Sequence, residues 1–197
     1  MFHALMKGGW MMLPLAVCSL VSVTIIIERF FFFRRIRQSH RGEEVLALVR
    51  KQRTDEALAI TDGEPLPVMR VLRVGLTHAP EPSGAMEAAG VAELSLMRRG
   101  LPALDTIITL APLLGLLGTI IGMMDSFNLM AMSGLGQPHA VTGGVAEALV
   151  CTAAGITVAV ISLIPYNYFL ARVEREAEAI EAYATRLEIA MSRWTSP

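Results

Sequence analysis

Charge is what this sequence is shortest of. Of its 197 residues 18% are charged and 53% are hydrophobic, a balance foreign to a soluble domain of that length. The few charges nearly cancel, to a formal net of -1, so no basic excess points to nucleic acid. There are only two cysteines, Cys18 and Cys151, lying far apart in apolar runs. That placement lacks the paired spacing of a zinc or redox motif and makes them small apolar residues of a membrane interior. The four histidines, His3, His40, His78 and His139, have no metal-ligand spacing, and neither a nucleophile elbow nor a phosphate-cradling glycine loop occurs. The expectation is no enzyme, no metal and no cofactor. The N-terminus does not read as a cleavable signal peptide either, because its apolar run from Trp10 to Ile27 ends in Glu28-Arg29-Phe30 rather than at a small-residue cleavage site.

What is present is a set of long apolar runs. A bilayer core takes about 20 apolar residues as helix, and three segments reach that length: Trp10 to Phe33, Thr106 to Met124 and Val141 to Leu170. The third exceeds a perpendicular span, which implies tilt or projection beyond the membrane. Trp10, Phe30 to Phe33, Tyr166 and Tyr168 sit near span ends, where aromatic rings settle at the interface. The expected organisation is 1–33 periplasmic terminus and first span, 34–105 cytoplasmic helical loop, 106–124 second span, 125–140 short periplasmic loop, 141–170 third span and 171–197 cytoplasmic tail. Orientation follows from Lys and Arg: eleven of seventeen lie in 34–100, four follow Leu170 and none lies between Asp125 and Ala140. The positive-inside tendency places loop and tail in the cytoplasm and the N-terminus outside. Arg34, Arg35 and Arg37, Arg98 and Arg99, and Arg172 and Arg175 all agree.

The loop has helical patterning of its own. Val45, Leu46, Leu48, Val49, Leu58 and Ile60 alternate with charge until Asp62-Gly63-Glu64-Pro65 breaks the run. A second apolar run over Val68 to Leu76 stops at Pro80 to Gly84. A helix from Ala85 then heads for the second span, with Gly100 and Pro102 marking a bend or break. In the tail, Val173, Ala177, Ile180, Ala184, Leu187 and Met191 form a heptad-like stripe. Glu174, Glu176, Glu178, Glu181, Arg186 and Glu188 read as its solvated outer face. The stripe would pack on the loop helices or on sister subunits.

One residue stands out. Glu147 lies about two turns into the third span, where a charged carboxylate costs about 2.5–3.5 kcal/mol on insertion scales. Such a group is neutralised, paired or exposed to a water-filled cavity, and each option couples it to protons or ions. The alternative is that Glu147 only hydrogen-bonds a neighbouring helix as packing glue. At 100° per residue, Gly143, Cys151, Ala154, Val158 and Ile161 fall within about 40° of it, with Gly144, Gly155 and Ser162 close by. Such small residues admit a neighbouring backbone. Thr152 lies about 140° away and faces an adjacent helix. The second span repeats the theme with Gly115, Gly118 and Gly122, and Thr119 between the last two. Taken alone, Thr119 is more simply a hydroxyl bonded to its own helix. Asp105 and Asp125 read as interfacial ends of the second span, and Glu28 and Arg29 as partners of each other or of the tail.

The string LAPLLGLLGTIIGMMDSF followed by GGVAEALVCTAAGITVAVISLIPYNYF resembles the MotA/TolQ/ExbB proton-channel family. The likeness covers the second and third spans, and three spans with a short outer loop suit its ExbB and TolQ members better than the four-span MotA. The resemblance implies an all-α, ring-forming membrane protein with long cytoplasmic helical extensions. It implies ion conduction by Glu147, Thr119 and Thr152, with protons a better fit than sodium. It further implies a pentamer around an ExbD- or TolR-like single-span partner, and a TonB- or TolA-like protein energised by the protonmotive force. Asp125 departs from the neutral polar residue frequent at that place, which puts in question the electrostatics of the outer mouth. Two rival readings stand beside this one: a non-conducting membrane scaffold and a motility stator.

Overall fold

The computed structural model describes residues 10–36, 41–79, 81–133 and 138–195, and every element among them is an α-helix. In chain order these are α1 (Met12–Arg35), α2 (Arg41–Arg50), α3 (Thr54–Thr61), α4 (Pro67–Thr77), α5 (Ser83–Arg98), α6 (Leu101–Ser133) and α7 (Pro138–Thr195). Among the described residues three helices are long and apolar enough to cross a membrane, carried by α1, α6 and α7. The second span was expected to end at 124, but α6 runs on to Ser133 because Ser126-Phe-Asn-Leu-Met-Ala-Met contains no helix breaker. His3, Arg37, His40 and the centre of the expected short loop lie outside the described residues, as does the side chain of His139. The chain divides into two compact units. One takes in α1 as far as Glu28 with Gly100–Asn167; the other takes in Arg29–Arg99 with α7 from Tyr168 onward.

The first unit is inverted relative to a soluble fold. Its large apolar side chains are exposed on a single chain, Leu20 at 70% and Ile164 at 69%, as suits contact with lipid or sister chains. What is buried is small. Gly115, Gly118 and Gly122 of α6 meet Thr152, Cys151 and Ala148 of α7 in antiparallel register, while Gly144 meets Ser126 and Gly155 meets Ala111. A Cβ added at Gly155 would lie 2.5 Å from the Ala111 carbonyl oxygen and 3.1 Å from Gly115 Cα, so glycine here is what allows the backbones to touch. Gly143, expected in the same packing, meets nothing within 4 Å. The buried stripe of α7 runs through Ala148, Cys151, Gly155, Ala159 and Ser162, about 80° round from Glu147, so Gly143 and Ile161 lie on the open side. Leu15 of α1 packs with Ile107, Ala111 and Cys151. Deep in this unit Ser22 and Ser162 join by a 2.5 Å hydroxyl hydrogen bond, and both are buried. Ser162 Oγ also lies 2.7 Å from the Val158 carbonyl, and donating its one proton there leaves Ser22 to donate to Ser162.

The second unit has an ordinary core. Val45, Leu46, Val49, Met69, Leu72 and Leu76 from α2 and α4 close on Met86 of α5 and on Ile180, Leu187 and Met191 of α7. The heptad-like stripe of the tail is therefore its core face. Glu176, expected on the outer face, is buried at 8%. It lies three residues after Val173 and four before Ile180, which puts it on their side of the helix. Arg29, also buried, donates from Nη1 to the Leu96 carbonyl at 3.0 Å and sits 4.5 Å above the Phe32 ring, capping the C-terminal end of α5. The expected break before the second span falls at Gly100, whose φ of 81° is a left-handed conformation open to glycine. Glu43, in the first turn of α2, takes a two-pronged ion pair from Arg186 at 2.6 and 2.7 Å and a hydrogen bond from the Tyr183 hydroxyl.

Two predictions follow from this packing. Gly155→Val should push α6 and α7 apart and lower the melting temperature of the purified protein by several degrees, while Gly84→Val, at an exposed position of α5 with nothing within 4 Å, leaves it within error; equal effects would mean that the close contact at Gly155 does not hold the unit together. The Arg186 hydrogen bonds hold the Glu43 carboxyl below its ordinary value of 4.5. A depressed folded-state value stabilises at pH above the unfolded one and is lost as pH falls through the folded one. Glu43→Gln should therefore be slightly less stable than the parent at pH 7, the difference shrinking below about pH 4.5 in parallel melting curves.

Candidate ion-conduction site

Glu147 is half-buried and lines a cleft of about 380 Å3 in the first unit, in company with Trp10 and Met11, with Gly122, Asp125 and Ser126 of α6, and with Ala148. That volume is many times the roughly 30 Å3 that one water occupies in the liquid. Where α6 and α7 face each other the residues are small: with Gly122 against Ala148 and Gly144 against Ser126, little side chain fills the space between them. Glu147 makes no ion pair or hydrogen bond with any described residue. Asp125 shares the cleft from the opposite helix, so the acid that reads as the end of a span is a second carboxylate lining the same space.

Beyond Glu147 lie the two threonines. Thr152 is five residues along α7, a rise of about 7.5 Å. Its hydroxyl donates to the Gly115 carbonyl at 3.0 Å and is in hydrogen-bond contact with the Thr119 hydroxyl. Thr119 Oγ1 lies 3.2 Å from the Gly115 carbonyl of its own helix and 3.1 Å from the Ala148 carbonyl of α7. The back-bond expected for Thr119 is thus only one of its options. Each hydroxyl has a single proton to donate, so two protons serve two carbonyls and two hydroxyl oxygens, and more than one arrangement satisfies them. Thr152 faces the adjacent helix as its angle from Glu147 requires.

Along the helix axis the order is Asp125, Glu147, then the Thr119–Thr152 pair. The glycines at 115, 118, 122, 144 and 155 set the approach of the helices that creates this line. Asp125, Ser126 and Ser22 were not singled out from spacing. The signal for Ser22 and Ser126 was a hydroxyl inside an apolar run, which is common and weak; that for Asp125 was a charge at the expected end of a span, which has a simpler reading. No group of three or more His, Cys, Asp or Glu among the described residues is placed to hold a metal ion.

Residues 66–182, more than half of the chain, match the model of the MotA/TolQ/ExbB proton channel family. The chain is 36% identical to the biopolymer transport protein ExbB-like 3 of Synechocystis sp. over 96% of its own length and 94% of that protein. It is 28% identical to the biopolymer transport protein ExbB of Pseudomonas putida, over 80% of this chain and 52% of that one. A shorter likeness, 39% identical over 46% of this chain and 39% of the other, is to the Tol-Pal system protein TolQ of Pseudomonas aeruginosa. With Glu147, Thr119 and Thr152 inside the matched region and three apolar helices around them, this all-α, multi-pass membrane chain belongs to the MotA/TolQ/ExbB proton channel family.

Proposed function

We propose that this chain is a proton-conducting subunit of the bacterial inner membrane, and that protons driven by the protonmotive force pass Glu147 on their way to the cytoplasm. The observation that carries the reading is the placement of Glu147: a carboxyl without a partner among the described residues, lining a cleft shared with Asp125 and followed by two hydroxyls in mutual contact. Asp125 would gather protons at the outer mouth and Glu147 would take them up deeper in the membrane. The Thr119–Thr152 pair would then relay or gate them, since a hydroxyl pair passes a proton by accepting one and releasing another. A unit charge crossing 100 mV releases about 2.3 kcal/mol. Loss of the Glu147 charge changes the affinity of its helix face for whatever lies opposite, and that is how flux becomes movement.

The working assembly in this reading is a ring of like chains, a pentamer, around an ExbD- or TolR-like single-span partner with its own membrane acid. It energises a periplasm-spanning protein of the TonB type. The likeness to two ExbB-named proteins over most of the chain supports this choice, and the shorter TolQ likeness supports a TolA-linked envelope motor as the second reading. The open side of α7, with Gly143, Ala146 and Ala153 exposed, is small enough for a neighbouring helix to approach closely. The N-terminus would be periplasmic and the C-terminus cytoplasmic, as the arginine distribution indicates.

Proton flux into proteoliposomes holding the chain with its single-span partner provides the test. Glu147→Gln, which keeps shape and loses the titration, should reduce flux at least tenfold under an imposed potential without changing assembly. Asp125→Asn should reduce it severalfold. Full flux in Glu147→Gln would remove this residue from the path, and full client activity with no flux in any variant would favour a scaffold.

A further inference from the structure

In the second unit, the last turn of α1 and the stretch of α7 just past its span enclose a separate cleft of about 540 Å3. Its floor is the stacked pair Phe33 and Phe169, with centroids 5.4 Å apart and planes inclined by 10°. Phe30 and Tyr168, each half-exposed, form the rim, and the charges that line the cleft are two guanidiniums, Arg34 and Arg172. Arg172 is partly used: Nη2 donates to the Ile36 carbonyl at 3.1 Å. Its Nε is enclosed and has no hydrogen-bond partner. Among the described residues Arg172 enters no ion pair. Glu176, one turn further along α7, does not line the cleft.

An enclosed guanidinium donor without an acceptor, a second guanidinium on the rim and no carboxylate in the wall together make an anion site. The planar fork of arginine suits a phosphate. Exposed aromatic rings at the basic end of a span belong at the level of lipid headgroups, where anionic lipids gather near Lys and Arg. We propose that this cleft holds the phosphodiester headgroup of an anionic phospholipid. The Arg172 and Arg34 guanidiniums grip the phosphate, while Phe30 and Tyr168 flank the glycerol and the first acyl carbons. The site is independent of the conduction path, and it would fasten the end of α1 to α7 from the lipid side.

The test is native mass spectrometry of the delipidated full-length protein in its membrane complex, titrated with phosphatidylglycerol or phosphatidylcholine. Wild type should retain phosphatidylglycerol at least fivefold more tightly. Arg172→Gln should abolish the preference. Because Arg172 also caps Ile36, Arg34→Gln serves as the second variant: Arg34 is exposed, and its loss should weaken the preference about threefold with helicity and complex mass unchanged. Arg98→Gln, an exposed arginine away from the cleft, should have no effect. Equal retention of the two lipids by wild type, or an undiminished preference in both cleft variants, overturns the proposal. Displacement of the lipid by glycerol 3-phosphate at matching concentration would assign the site to a soluble phosphate ester and overturn the lipid assignment.

Discussion

The approach of two backbones at Gly155 is the contact on which the first unit depends. In water, helices are held together by burying large apolar side chains; in lipid that driving force is absent, because a leucine is as well solvated by an acyl chain as by a neighbour. What remains is close packing and hydrogen bonding. Ala111 and Gly115 on one helix and Gly155 on the other bring α6 and α7 near enough for Thr119 to reach across to the Ala148 carbonyl and for Thr152 to reach the Gly115 carbonyl. Widen that spacing and both cross-helix hydroxyl bonds go with it. The same contact shapes the cleft, since the helices touch through glycine and alanine and leave room beside Glu147 that larger residues would have filled.

The second unit obeys the opposite rule, and α7 shows both in one helix. Through the span its buried positions are Ala148, Cys151, Gly155, Ala159 and Ser162; past the span they are Phe169, Val173, Ile180 and Leu187. The change from small to large marks where burial of apolar area becomes worth about 25 cal/mol per Å2 again. Polar atoms follow the same division. Within the apolar unit the Ser22–Ser162 bond is buried and Thr157 bonds back to Ala153, whereas Arg41, Arg53, Arg70, Arg73 and Arg186 of the second unit all pair with carboxylates at exposed positions. Those pairs orient the small helices more than they stabilise them.

How much of this was legible beforehand follows from what helical periodicity carries. It gives angles on one helix, so Thr152 could be assigned to an adjacent helix and the tail stripe to a buried face. The three apolar runs and the lone carboxylate at 147 were visible for the same reason, as departures from composition. Periodicity does not say which helix lies opposite. The stripe on α7 was therefore centred on Glu147 when the packed face lies to one side of it, and Gly143 was grouped with glycines whose surroundings it does not share. Glu176 was missed because charge outweighed position in the reading, although its spacing from Val173 and Ile180 already placed it inward. The Ser22–Ser162 bond joins residues 140 apart in sequence, and no local pattern could connect them.

Among the described residues Glu147 has no partner, and the proposed role gives a reason for it. An acid bonded to an arginine would be held ionised, and one bonded to a backbone carbonyl would be held protonated; either way it could not change state cheaply. The mechanism proposed above asks that the group change state, and a strong permanent partner would oppose that. Asp125 fits the same logic, because it shares the cleft without supplying a countercharge. The structural requirement is thus for space, not for a partner, and the glycines and alanines of α6 and α7 supply it.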